Sequence, residues 1–348
     1  MNSFVAPGPI RDALISNLIV LFVLGVAAVA AIAAAKNDIW RESLVQVGRR
    51  RRFSVAALAV FATVALVDSV VWIGGETGSD QVAAHEGRSL IDRGFGASNE
   101  KSYSAPFATV EFYDRSPLEH PGRHVLGTNV LGEDVLYLTL KGTKVALLIG
   151  GLTSLIAIPL ALFFGILAGY FGGRIDDVVF FVMSTLASMP GILLLIALIM
   201  VLGQSTVSVC LALGVTSWVG FSRLARGETM KLRELDYVAA AKVLGVRNHQ
   251  ILLRHILPNL LHLVVITFVL MFSGLVLSEA TLAWLGIGVN GSWGQMIAQA
   301  KDELSREPIV WWNVTSAGAA LFVLLLAVNR VGDALRDVLD PRTRGEKR

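Results

Sequence analysis

The residues able to do chemistry are few, and their spacing builds no reaction centre. The six histidines are His85, His120, His124, His249, His255 and His262, and none falls into an H-E-x-x-H or comparable ligand pattern. His120 and His124 stand four apart, as metal ligands on a helix do. Pro121 and Gly122 lie between them, which reads as a loop with solvated histidines. No G-x-S-x-G elbow and no G-x-x-x-x-G-K-[ST] phosphate loop occurs, so nothing here splits ATP or activates a serine. Cys210 is the single cysteine and excludes an intrachain disulfide. No cofactor is expected on this chain and no metal site.

The ionisable groups that do stand out lie in or near apolar runs. Glu279 follows a long hydrophobic stretch, where a charge is costly unless it faces protein or water. Two readings stand for it: a group of a solute pathway or outer gate, and a residue at the interfacial end of a span. Asp68 reads as interfacial, and Asp176 and Asp177 beside Arg174 as a solvated turn. Met189-Pro190 interrupts another apolar run; it shapes a gate or is a tolerated kink.

The elements that position these residues are membrane helices. Of the 348 residues 54% are hydrophobic and 16% charged, against roughly a quarter charged in soluble domains. Seven runs approach the ~20 residues that cross a bilayer: 15–35, 53–73, 143–171, 178–202, 205–222, 259–287 and 313–331. The first also resembles a secretory signal, but it exceeds a normal h-region and only Arg11 precedes it. Basic clusters sit at Lys36 to Arg52, Arg223 to Arg254 and Arg330 to Arg348. Alternation through seven spans puts all three on one side, the cytoplasmic one, with the N-terminus outside and the C-terminus inside. With a net charge of only +3, these clusters read as topology signals and not as a nucleic-acid surface. Trp284, Trp293, Trp311 and Trp312 suit an outer aromatic belt. Segment 74–142 admits a small folded cap or a loose loop.

The internal segment 223–258 carries the strongest signal. From Glu234 the Ala, Leu, Glu and Lys residues favour helix, and Gly245 is its expected stop. Asn248 is the expected N-cap of a second short helix that Pro258 breaks or kinks before the next span. Ala239, Ala240 and Ala241 offer small side chains to an approaching surface, and basic residues such as Arg254 surround them.

This segment resembles the conserved cytoplasmic loop of ABC-importer permeases, E-A-A, three residues, Gly, then I-x-P or I-L-P. Ala240, Ala241, Gly245, Ile256, Leu257 and Pro258 match, while Ala239 stands where the family has Glu. His124 to Leu136 resembles the family's H-x-L-G-T-D-x-x-G-R-D-V-L, with Asn129 and Glu133 replacing Asp and Arg. Ser278-Glu279-Ala280, Trp284 to Val289, Ser292 to Met296 and Gly332 to Arg342 resemble its later segments. The chain is thus similar to the C-type subunit of the dipeptide/oligopeptide/nickel permease group.

The resemblance implies an all-α polytopic membrane protein: a type I importer permease core of six spans plus one extra N-terminal span. It divides the chain into 1–52 (extra span and basic linker), 53–142 (family first span and external segment) and 143–342 (permease core with loop 223–258). It implies half of a pathway for peptides or a related small solute, in a bacterial inner membrane. Loop 234–258 would couple to one or two cytoplasmic ATPase subunits, which bind the ATP and Mg. A homologous B-type permease and an external solute-binding protein complete the expected partners, with the lipid bilayer. An ion-coupled carrier and a non-transporting assembly scaffold are the competing readings.

Overall fold

The computed structural model describes residues 17–26, 47–72, 88–95, 100–111 and 115–339. Most of the first expected span, Lys36, Arg41 and the C-terminal Asp340 to Arg348 lie outside them.

The described chain is almost wholly helical. It comprises α1 (Asn17–Val26), α2 (Arg52–Ser69), β1 (Val71–Trp72) paired antiparallel with β2 (Arg88–Ser89), and α3 (Leu90–Phe95). There follow α4 (Val135–Phe171), α5 (Gly173–Ser188), α6 (Gly191–Leu202), α7 (Thr206–Arg233) and α8 (Asp236–Val243). Last come α9 (Asn248–Trp284), α10 (Trp293–Glu303) and α11 (Trp312–Leu339). Five helices, α2, α4, α7, α9 and α11, are long and apolar enough to cross a membrane, and α5 with α6 forms a sixth, broken candidate. Six of the seven expected runs are helical, and the described part of the run at 15–35 is the short apolar helix α1.

The longest helix organises the rest. At ~1.5 Å per residue α4 is about 55 Å long, so it outreaches the hydrocarbon layer. It begins at Asp134, whose carboxylate accepts from the N–H groups of Leu136 (2.7 Å) and Tyr137 (3.2 Å) and caps the helix. Its main partner is α7. A Cβ at Gly165 or Gly169 would stand 2.6–2.7 Å from the carbonyl oxygens of Ser222 and Arg226, so hydrogen in place of methyl lets the two backbones touch. In lipid that close approach, with the van der Waals contact it brings, replaces the hydrophobic drive available in water.

The described part of segment 74–142 is a folded cap from residue 100 onward, the first of its two readings. Burial acts against ionisation of Glu100, but the backbone N–H groups of His120 (2.7 Å), Lys101 and Glu119 outweigh it and hold the carboxyl below its usual range. His124 is not a solvated loop histidine: it is buried, with Nδ1 2.8 Å from Asp134 Oδ2. Trp293 and Trp312 are not belt residues. Both rings are buried, and their indole N–H groups donate to the Thr139 and Thr128 carbonyls at 2.8 and 2.9 Å, because a buried indole needs an acceptor. Trp284 and Trp311 remain half exposed.

Candidate functional site

The loop after α7 owes its shape to one glycine. Gly245 has φ +76°, a conformation that costs an L side chain strain. Its N–H donates to the Lys242 carbonyl (3.0 Å) and that of Val246 to the Ala241 carbonyl (3.0 Å), the paired bonds that end α8. Asn248 does not cap the next helix, contrary to the sequence expectation. Arg247 takes the cap position without a side-chain bond, and Asn248 is the first helical residue. Its amide is engaged elsewhere, accepting from the Tyr170 hydroxyl at 3.0 Å.

Pro258, where a break or a kink is expected, leaves the helix unbroken. It sits at the start of the α-helical stretch of α9, just after a π turn over Leu252–Ile256. Proline has no N–H to donate backwards, and the wider turn absorbs the mismatch: the Leu257 N–H donates to Leu252 O, five residues back. Asn259 Nδ2 then satisfies the His255 carbonyl at 2.6 Å and reaches the Tyr237 hydroxyl at 3.1 Å, tying α9 to α8.

The loop has two faces. Val238, Ala241, Ile251 and Ile256 are buried with Ile166, Tyr170 and Leu260, and Leu257 packs beside them. These form the base on which the loop rests. The opposite face exposes Ala239, Ala240, Gly245 and the charged Asp236 and Arg254. Val243 and Leu244, 88% and 82% exposed, form its apolar tip. Of the residues singled out in sequence, Ala241, Ile256 and Leu257 therefore serve the base, while Asp236, Ala239, Ala240, Gly245 and Arg254 face outward; Pro258, also exposed, shapes the turn between them.

The base is fastened to the C-terminal end of α4 by polar contacts that no local pattern announces. Arg233 Nη1 donates to the Gly169 carbonyl at 3.0 Å, one of the last carbonyls of α4 without an intrahelical partner. Lys242 Nζ lies 4.9 Å from the centroid of the Tyr170 ring. Asp176 is not part of a solvated turn: it lies in the first turn of α5 and accepts from Arg226 of α7, with Nη2 at 2.6 Å.

The pathway candidates lie above this end. Met189 has extended backbone (φ −84°, ψ 137°), as the residue before proline prefers, and α5 and α6 meet there at 92°. Met189 and Pro190 are exposed. Glu279 is buried at 4% exposure in α9 and faces the α9–α10 connection, where the Val289 N–H lies 3.4 Å from Oε1.

At the Asp134 end of α4, Asp68 is buried. Its carboxylate accepts from Ser89 (2.8 Å) and pairs with Lys141 (2.9 Å) and Lys144 (3.7 Å); Lys141 also reaches Asp92 at 2.7 Å. Among the described residues no group of three or more His, Cys, Asp or Glu side chains is placed to hold a metal ion.

Residues 161–345, which include both faces of the loop and the broken helix, match the family described as binding-protein-dependent transport system inner membrane component. The chain belongs to that family.

This permease is 34% identical over 226 residues to the oligopeptide transport system permease protein OppC of Haemophilus influenzae, covering 64% of this chain and 72% of the relative. It is 33% identical over 245 residues to the glutathione transport system permease protein GsiD of Pectobacterium atrosepticum, covering 69% and 80%. It is 32% identical over 228 residues to the dipeptide transport system permease protein DppC of Bacillus subtilis, covering 64% and 69%. Among solved structures, the MetNI methionine ABC transporter in inward-facing form gives a TM-score of 0.48 at 20% identity, covering 60% of this chain and 99% of that one. The permease is thus a multi-pass membrane subunit of an ABC importer of the oligopeptide/dipeptide type.

Proposed function

We propose that the permease forms half of a translocation pathway for peptides or a related small solute in a bacterial inner membrane, and that its 234–258 loop receives the drive from cytoplasmic ATPase subunits. The observation that carries this is the two-faced loop. Exposed Val243 and Leu244 beside Arg247 and Arg254 make an apolar tip with a cationic rim, the composition of a protein-binding surface. The buried base fixes that tip to α4, α7 and α9 at once. ATP and Mg are held by the partner subunits; a B-type permease supplies the other half of the pathway, and an external binding protein delivers the solute.

The seven-span topology, N-terminus out and C-terminus in, accords with the placement of charge. Arg49 to Arg52 at the start of α2, the ends of α4 and α7, and the start of α9 share one end of the bundle, opposite Asp68 and the cap. Val20 of α1 packs on Ala65 and Leu148, which suits a peripheral added span. Met189, Pro190 and Glu279 are assigned to the pathway or its outer gate. Glu279 is engaged by its own connection, which weakens an ion-coupled carrier reading.

The test is Gly245→Pro in proteoliposomes holding the complete transporter. Proline cannot adopt the required positive φ, so the turn is lost. ATP-driven uptake of labelled di- to pentapeptides should fall to background while the subunits still copurify. Normal uptake by that variant, or by one lacking 234–258, overturns the assignment.

A further inference from the structure

We propose that Tyr170 is the positioning residue that passes movement of the 236–258 loop into α4, and from there to the break at Pro190. This rests on the reading of the loop as the ATPase contact and goes beyond it by naming the route.

Tyr170 is the last-but-one residue of α4 and is buried at 6% exposure. It is a side chain that touches both arms of the loop. Lys242, in the last turn of α8, lies over its ring at 4.9 Å, and Asn248, the first residue of α9, accepts from its hydroxyl at 3.0 Å. These two contacts fall on either side of the Gly245 turn. A rigid displacement of the turn therefore loads Tyr170 from both sides, where a contact to one arm alone would let the loop pivot.

From Tyr170 the structure offers a short, stiff continuation. Gly165 and Gly169 bring α4 into backbone contact with α7, which leaves no slack between the two helices. Arg226 of α7 holds Asp176 of α5 in a two-point bond, nitrogen by nitrogen to both carboxylate oxygens. The far end of α5 is Met189, where the chain turns by 92° into α6. Packed elements with discrete arrangements transmit such shifts because they do not deform continuously. Tyr170 makes the entry contact.

The experiment uses the assembled transporter in nanodiscs, with spin labels at introduced cysteines. Cys210 is fully buried and does not compete for label. Exposed Leu253 reports the loop without touching its apolar tip, exposed Leu193 reports α6, and exposed Leu131 in the cap is the reference for both. Distances are compared without nucleotide and with ATP plus vanadate. In the parent chain both 253 and 193 should shift relative to 131. In Tyr170→Phe, which keeps the ring and loses only the hydroxyl, the shift at 253 should persist while that at 193 falls by roughly twofold or more. Asn248→Ala should reproduce that split from the other partner, and Asn248→Asp, which keeps an acceptor oxygen, should restore it. Thermal midpoints should stay within those of the parent, which separates transmission from general destabilisation. An unchanged shift at 193 in both Tyr170→Phe and Asn248→Ala overturns the role of Tyr170. A parent chain in which 253 itself does not move overturns the loop reading, and the route falls with it.

Discussion

The two ends of α4 are held by different chemistry. At the N-terminal end Asp134 caps the helix, and the half-buried Lys141 and Lys144 cluster with buried Asp68 and half-buried Asp92, closed by Ser89 and the Tyr137 hydroxyl. At the C-terminal end there is one neutral hydrogen bond, one cation over a ring and one arginine on two carbonyls, beside an apolar base. Removing the buried member of a charge cluster leaves its partners uncompensated, whereas breaking a neutral contact releases groups that water can satisfy. The N-terminal end is therefore an anchor and the C-terminal end a joint. A helix built this way can be driven at the joint without losing its place at the anchor.

The sharpest way to break that contrast is Asp68→Ala. It leaves Lys144 facing no carboxylate at close range and Lys141 with Asp92 alone, in a site where Asp68 is only 3% exposed. The expected cost is about 3–5 kcal/mol, read as a lowered unfolding midpoint in detergent and reduced yield. Asp68→Leu combined with Lys141→Met, which removes a pair together, should cost less. If Asp68→Ala costs no more than Tyr170→Phe, about 0.5–1.5 kcal/mol, the anchor is not the stiffer end.

Gly245→Ala probes the joint more gently. Open space surrounds the position, so the added methyl meets nothing and the cost is the positive φ alone, about 1 kcal/mol. Faster hydrogen exchange at the Val246 N–H, with the Leu136 and Tyr137 amides of the anchor unchanged, is the expected result. Equal acceleration at both ends would mean that the two are one cooperative unit.

How much of this was legible in sequence follows the range of the interactions. Apolar run length placed the helices, and the glycine stop of α8 was readable because a helix terminus is set within a few residues. Asp134 ahead of an apolar run is also a local cap signal. The Tyr170–Asn248 bond spans 78 residues and the Lys141–Asp68 pair joins separate helices, so no periodicity exposes either. Asn248 was misjudged for that reason: a residue with the right type for a cap was already committed to a distant hydroxyl. The π turn before Pro258, with Asn259 Nδ2 donating to the His255 carbonyl, is an arrangement that no propensity records. Pro190 was visible, but the 92° angle at which α5 and α6 meet there was not.

The smallest effect lies in the cap that steadies the anchor, and it separates two carboxyls by the sign of their pH dependence. Glu100 is held below its ordinary 4.5 because three backbone N–H groups outweigh the burial that would raise it. It therefore binds its proton less readily folded than unfolded, and its contribution is complete above about pH 4.5 and lost as pH falls through the lower folded value. Glu303 is the opposite case. Burial raises its pKa, and neither Asn313, which donates to both oxygens at 3.0 Å, nor the nearby Arg306 fully offsets it, while Asp302 adds to the rise. Folding here favours the protonated form, so stability is highest below about 4.5 and declines as pH rises through the folded value. Glu100→Gln should flatten the acid side of the midpoint-versus-pH curve, and Glu303→Gln should flatten its rise-side decline and leave the acid side alone. The Tyr170–Asn248 bond contains no carboxylate, so hydrogen exchange around Asn248, corrected for intrinsic rates, should show neither slope. A shared pH response at both ends of α4 would show that anchor and joint communicate through the helix even at rest.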